Sequence, residues 1–134
     1  MSRVEPQPTL AQCHELLARY RCHYAHELTG RMAASGHPGI VSEWICDGRV
    51  FCFELHDHHV LPDFQLDGGQ PRPVIAEVLA ALPCDRMTHW EITTWFCSPN
   101  PELPGQASPA DLLGTAQQGL LADAARRLPT AAAR

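Results

Sequence analysis

Residues 49–61 read Arg49-Val50-Phe51-Cys52-Phe53-Glu54-Leu55-His56-Asp57-His58-His59-Val60-Leu61. The first part of this stretch is rich in β-branched and aromatic side chains, which favour strands. We expect Asp57-His58-His59 to form a polar turn and Val60-Leu61 to return as a short strand that Pro62 stops. The sequence therefore predicts one small β-hairpin, or wing, over Arg49–Leu61.

Helical spacing precedes this hairpin. Apolar residues recur every three or four positions from Leu10 to Tyr24, after a possible cap at Thr9, and Ala25–Ala34 can form a second helix. A third helix runs from Ile40 and ends at Gly48, which suits the left-handed position after a helix.

Helix-start signals dominate the sequence after the hairpin. They are a proline in a first turn at Pro73, the capping box Thr88-His89-Trp90-Glu91, and an N-cap at Ser108 followed by a proline. Gln117 begins a last helix that we expect to reach about Leu128. The fold class is therefore mainly α with one small β-hairpin (α+β).

The domain organisation that follows has two main parts. Asp67-Gly68-Gly69-Gln70-Pro71 resembles a plain linker and is the expected internal boundary. The predicted parts are a flexible arm (1–8), a winged-helix-like part (9–68), a helical part (69–128) and a frayed tail (129–134).

Length and composition restrict the class of protein. The 134 residues are 45 % hydrophobic and 19 % charged, which predicts one domain, or two very small ones, around a core. The sequence predicts neither a transmembrane helix nor a signal peptide, so we expect a cytoplasmic protein. Ten Arg, no Lys and fifteen acids give a net charge of −5, which disfavours autonomous nucleic-acid binding.

Cysteine and histidine residues suggest metal or thiol chemistry only weakly. None of the six cysteines forms a C-x-x-C pair, and Cys13, Cys52 and Cys97 stand among apolar neighbours typical of a core. His56, His58 and His59 cluster, but neighbouring strand residues point to opposite faces. His23 and His26 share a face at helical spacing, but two ligands specify little. We therefore predict no metal site and favour a solvated turn at the histidine cluster.

Catalytic motifs are equally weak. The sequence has no G-x-S-x-G, H-E-x-x-H, P-loop or G-x-G-x-x-G, so we predict no catalytic residues and no cofactor. A Cys/His pair stays open, because six Cys and eight His produce accidental pairs in any compact fold. A metal- or thiol-dependent enzyme is thus kept as a second alternative.

The helix–turn–helix–wing order from Tyr24 to Pro62 is a geometry that reads DNA. Only Arg31 and Arg49 stand in this segment against five acids, and the recognition-like helix over 39–47 carries Glu43 and Asp47. DNA phosphates would be repelled. We favour a scaffold that kept the fold without the binding chemistry, with a DNA-binding regulator as the first alternative and Arg31 and Arg49 as its candidate contacts.

One segment resembles a known family. It is Trp95-Phe96-Cys97-Ser98-Pro99-Asn100-Pro101-Glu102-Leu103-Pro104-Gly105-Gln106-Ala107-Ser108-Pro109-Ala110-Asp111-Leu112-Leu113. An aromatic-ended helix, P-N-P-x-L-x-G and P-x-D-L-L resemble the toxin-binding C-terminal domain of Xre/MbcA/ParS antitoxins, over about Pro71–Arg127. Where the family has a Gly-Gly-Arg-like turn, this chain has Pro104-Gly105-Gln106. More weakly, Val41–Phe51 and Leu61–Leu66 resemble an excisionase/MerR-like winged helix.

The resemblance implies an antitoxin-like protein that binds a cognate toxin, such as a RES-domain toxin that consumes NAD, with no membrane and no small-molecule substrate. It also implies a homodimer and possible operator DNA. A purely structural reading stays open, in which Pro99-Asn100-Pro101 only fixes a rigid turn and the aromatic residues are core. The candidate toxin-binding residues are Trp95, Pro99, Asn100, Pro101, Leu103, Gly105, Pro109, Asp111 and Leu112.

Overall fold

The computed structural model describes residues 10–55 and 57–127. The predicted arm, the Thr9 cap, His56 and the predicted tail lie outside the described residues, as do the side chains of Leu10 and Cys13. The described helices are α1 (Leu10–Arg19), α2 (Ala25–Ala34), α3 (Ile40–Cys46), α4 (Pro73–Ala81), α5 (His89–Cys97), α6 (Pro109–Leu112) and α7 (Leu120–Arg126). The described strands are β1 (Cys22–Tyr24), β2 (Phe53–Leu55), β3 (His58–Pro62), β4 (Leu66–Asp67) and β5 (Gln70–Pro71). The predicted class, mainly α with a small β part, is confirmed.

The predicted hairpin forms two strands of a three-stranded antiparallel sheet, with β3 in the centre. β2 pairs with β3 so that Phe53 faces Val60 and Leu55 faces His58. Asp57, with φ 65°, lies in the tight turn between them. His58 and His59 belong to β3, so their predicted place in the turn was wrong. The strand begins earlier because cross-strand pairing can override the turn preference of polar residues.

β1 is a strand that the helical spacing over Leu10–Tyr24 did not predict. α1 ends at Arg19, and Cys22, His23 and Tyr24 pair with Pro62, Leu61 and Val60 of β3. Without β1, that edge of β3 would leave its backbone groups unpaired. The third strand is thus a tertiary effect, and the single hairpin expected from the sequence becomes a sheet in the order β1-β3-β2.

The segment expected to be a plain linker is itself ordered. β4 and β5 form a two-stranded hairpin, and its turn residues Gly68 and Gly69 have φ 62° and 82°. Two consecutive positive φ values suit a tight hairpin turn, which glycine adopts without a steric penalty. The plain-linker prediction was therefore wrong about the local structure.

Local helix signals were mostly interpreted correctly. Gly48 has φ 72°, and the Arg49 N–H donates to the Trp44 carbonyl (2.9 Å), which closes α3 as predicted. In the capping box, the Glu91 N–H donates to Thr88 Oγ1 (3.1 Å) and the Thr88 N–H to Glu91 Oε1 (2.8 Å). Both predictions depended on contacts within one turn.

Two other helix starts differ from the prediction. Ser108 does not cap α6 with its side chain; its hydroxyl donates to the Cys97 carbonyl (3.4 Å) instead. α7 starts at Leu120 and not at Gln117, because Thr115 Oγ1 accepts the Gln117 N–H (3.1 Å) in a preceding turn. Hydroxyl groups that bond nearby backbone compete with helix formation.

Residues that precede the β4–β5 hairpin in the sequence pack against residues that follow it. Phe51 follows α3 but packs in the core of the C-terminal helices, with its ring stacked on Phe96 at 4.8 Å. Phe53 contacts Trp90 edge-on at 5.1 Å. Gln65 is fully buried; it accepts the Phe51 N–H (2.7 Å) and donates to the Phe51 carbonyl (2.9 Å). The segment after α3 therefore ties the two halves together.

None of the helices in the described residues combines the length and the hydrophobicity that are needed to cross a membrane.

Candidate partner-binding surface

The loop after α5 is held in one conformation by Asn100. Asn100 Oδ1 accepts the Glu102 N–H (2.9 Å), and the Asn100 N–H donates to the Ala107 carbonyl (3.1 Å). The Asn100 carbonyl accepts the Leu103 N–H (3.0 Å). These bonds fix the turn that the prolines begin. Asn100 therefore has the structural role that the sequence left open.

A concave surface of about 360 Å³ lies between this loop and α7. We call it the C-terminal surface; it is lined by Trp95, Ser98, Pro99, Asn100, Pro101, Glu102, Ala124 and Arg127. Arg127 Nη1 donates to Glu102 Oε1 (3.2 Å), and both side chains are about half exposed. The Trp95 ring is partly buried and contacts Phe96 edge-on at 5.0 Å. An aromatic ring and a guanidinium thus line the same concave surface.

The nine candidate toxin-binding residues divide into two groups. Pro99, Pro101, Gly105 and Asp111 are exposed, and Trp95 and Asn100 are partly buried. Leu103, Pro109 and Leu112 are buried in the core. The last three can shape the surface but cannot touch a partner in this conformation. Sequence could not separate the groups, because the same residue types serve cores and interfaces.

Asp111 contacts a part of the chain that the motif did not suggest. Its Oδ1 accepts a hydrogen bond from the Tyr20 hydroxyl (3.1 Å). Arg19 donates to the Tyr20 oxygen (3.2 Å) and to the Cys97 carbonyl (3.3 Å). Burial, and then the nearby Asp111 carboxylate, raise the pKa of Tyr20 to about 12. The end of α1 is therefore fastened to the C-terminal helices.

α1 also extends the concave region. A second hollow of about 250 Å³ is lined by Leu16, Arg19 and Tyr20 from α1 and by Trp90 and other residues of α5. It shares Ser98 and Pro99 with the C-terminal surface. Leu17, on the same helix, is 42 % exposed. The sequence gave no sign that α1 would border this region, because the contacting residues lie far apart along the chain.

Both candidate DNA-binding residues, Arg31 and Arg49, are exposed, but Arg31 is hydrogen-bonded within the chain. Arg31 Nη2 donates to His23 Nδ1 (3.0 Å), so His23 Nε2–H donates to Asp63 Oδ1 (2.6 Å). Arg49 is exposed just after α3. Glu43 and Asp47 are exposed as well, so the face that would meet DNA carries acids.

Metal and thiol chemistry gain no support from the described part of the chain. Within it, no three His, Cys, Asp or Glu side chains lie close enough to hold a metal ion. His23 and His26 do not converge, since His23 binds Asp63 while the His26 ring stacks on Tyr24 at 5.6 Å. Burial raises the pKa of Cys52 and of Cys97 to about 12, which keeps both thiols protonated and poorly nucleophilic at neutral pH.

Comparison with known proteins gives no match: no family model, no curated protein and no solved structure matches this chain significantly.

Proposed function

We propose that this chain is an antitoxin-like interaction protein that binds a partner toxin through the C-terminal surface and neutralises it. The carrying observation is the concave surface on which Trp95, the rigid 99–102 loop and Arg127 lie together. The motif resemblance over Trp95–Leu113 supports the same surface. The proposed mechanism is occlusion of the toxin's active site and needs no catalytic residue or cofactor in this chain.

The physical chemistry of this surface suits protein binding. Trp and Arg are the residue types that most often dominate binding energy when a partner covers them. Asn100 has already ordered the loop, so less conformational entropy is lost on association. Arg127 is bonded to Glu102 only at the half-exposed rim, where an ion pair contributes little and exchanges easily for a partner's carboxylate.

The remaining parts of the proposal depend on the resemblance or on sequence patterns and not on a described contact. They are a RES-domain toxin that consumes NAD as the partner, a homodimeric state, a cytoplasmic location and possible operator DNA. The acidic residues on and beside α3 weigh against DNA as the main partner. We therefore put toxin binding first.

Co-expression tests the proposal. The tagged chain is produced with the product of the neighbouring open reading frame, and both complex formation and relief of growth arrest are measured. We expect a stoichiometric complex and restored growth. A harmless neighbour that does not co-purify would contradict the proposal.

Two adjacent arginines provide a matched pair of variants. Arg127→Glu reverses a charge on the C-terminal surface, while Arg126→Glu reverses one that pairs with Asp123 away from it. We expect Arg127→Glu to lose the complex and Arg126→Glu to keep it. If both variants lose the complex equally, the interface lies elsewhere or binding depends only on the net charge of the chain.

A further inference from the structure

A separate groove of about 700 Å³ lies between the end of α3 and α4. Its floor includes Val50, Phe51 and Cys52, which are buried where two hydrophobic cores meet. Ala76 and Ala80 line it from α4, where their short side chains leave the space open. Sites for small molecules usually have volumes of about 300–1,000 Å³. The groove thus has the size of a ligand site.

Apolar side chains form most of the groove's lining. Ile45 is 40 % exposed there, which is unusual for a large aliphatic side chain beside a core. Leu79 and Ile92 continue the apolar lining from α4 and α5. A ligand with an apolar body would remove this surface from water, at about 25 cal/mol per Å².

The charged side chains that line the groove indicate which charge a bound ligand would carry. Asp47 is the one carboxylate among the described residues that line the groove, and no arginine is among them. Two histidines, His59 of β3 and His89 of α5, also line the groove. Asp47 is also the residue that ends α3, where backbone carbonyls give a helix its negative pole. Arg49, the nearest arginine in sequence, is exposed but does not line the groove. This end of the groove therefore favours positive charge.

We propose that the groove between α3 and α4 binds a small organic cation with an apolar body. The positive group lies at Asp47, and the apolar body covers Ile45 and reaches towards Phe51. The ligand contacts elements from both sides of the β4–β5 hairpin. This site is independent of the C-terminal surface and of the proposed toxin.

Three probes of one shape and different charge test the proposal. They are 4-tert-butylbenzyltrimethylammonium, neutral 4-tert-butylbenzyl alcohol and 4-tert-butylbenzenesulfonate, titrated calorimetrically at pH 8 with the whole chain. We expect the cation to bind about tenfold more tightly than the anion, since the exposed Asp47 carboxylate attracts the cation and repels the anion. Equal binding of all three probes, or binding of none, would overturn the proposal.

Variants locate the binding. Asp47→Asn should bring the cation and the anion to within about twofold of each other. Ala80→Trp fills the groove from an exposed position and should abolish binding, while Ala33→Trp, exposed on α2, should not. Thermal unfolding midpoints confirm that each variant is folded. Unchanged cation binding in Ala80→Trp would overturn the proposal, as would an unchanged charge preference in Asp47→Asn.

Discussion

The Tyr20 hydroxyl donates a hydrogen bond to Asp111 Oδ1 at 3.1 Å, across 91 positions of the chain. This bond joins the end of α1 to α6, beside the loop that Asn100 orders. Asp111 belongs to the motif that resembles a toxin-binding domain, yet in this structure it fastens an N-terminal helix. The two halves of the chain are therefore coupled at the border of the C-terminal surface.

Removing the Tyr20 hydroxyl should lower the free energy of unfolding at neutral pH. It should also make that free energy fall less at alkaline pH. Tyr20→Phe should cost about 1 kcal/mol of unfolding free energy at pH 7, measured by urea denaturation. The pKa of Tyr20 in the folded chain, about 12, lies above the ordinary tyrosine pKa of about 10, so the contribution is complete below about pH 10 and is lost as pH rises towards 12. If Tyr20→Phe loses as much unfolding free energy between about pH 10 and pH 12 as the wild type, groups other than Tyr20 cause the decline.

Phe51 should be essential to the shared core. Phe51→Leu should cost about 1–2 kcal/mol and Phe51→Ala about 3–5 kcal/mol, because the ring is buried between Phe96 and Phe64. Leu17→Ala is the exposed control and should change stability by about 0.5 kcal/mol or less. Urea denaturation followed by tryptophan fluorescence measures all three. A Phe51→Ala variant as stable as the control would mean that the halves do not depend on this contact.

Gln65 should stabilise through hydrogen bonds and not through packing. Gln65→Leu keeps a similar volume but leaves the buried Phe51 N–H and carbonyl without this partner, so we expect a loss of about 2 kcal/mol or more. Gln70→Leu, at an exposed position of β5, is the matched control. Thermal and urea unfolding compare the two variants. Equal stability would indicate that water or a shifted backbone replaces the amide.

Thiol labelling should follow exposure and pKa. Cys46 is exposed, whereas Cys52 is buried and Cys97 is partly buried, and burial raises the pKa of Cys52 and of Cys97 to about 12. At pH 8 we expect iodoacetamide to modify Cys46 well before the other two, with the sites identified by peptide mass mapping. Denaturant should equalise the three rates. Equally fast native labelling of Cys52 would contradict the buried floor of the groove between α3 and α4.

The sequence predicted those features that depend on neighbouring residues. The Thr88 capping box and the left-handed Gly48 are complete within one helical turn, so residue types at fixed spacing identify them. β1 was missed because Cys22–Tyr24 has helical spacing on its own, and its partner strand lies almost 40 positions later. The strand becomes favourable only once that edge of β3 is available.

The candidate site shows the same limit. Three candidate residues, Trp95, Pro99 and Pro101, line the C-terminal surface, and whether they bind a partner stays a prediction. The sequence did not indicate that Arg127 lines this surface or that α1 lines the hollow beside it. Leu103, Pro109 and Leu112 were expected at an interface and are buried. The type of an apolar residue does not tell whether it faces the core or a partner, since helices distant in sequence decide whether it is buried.

Amide hydrogen exchange in the complex tests the central claim most directly. The chain is compared alone and with the neighbouring gene's product, and protection is mapped along the sequence. We predict protection of residues 98–103 and the end of α7, with little change over α2 and α3. Protection confined to residues 31–49, with the 98–103 loop unchanged, would contradict partner binding by the C-terminal surface.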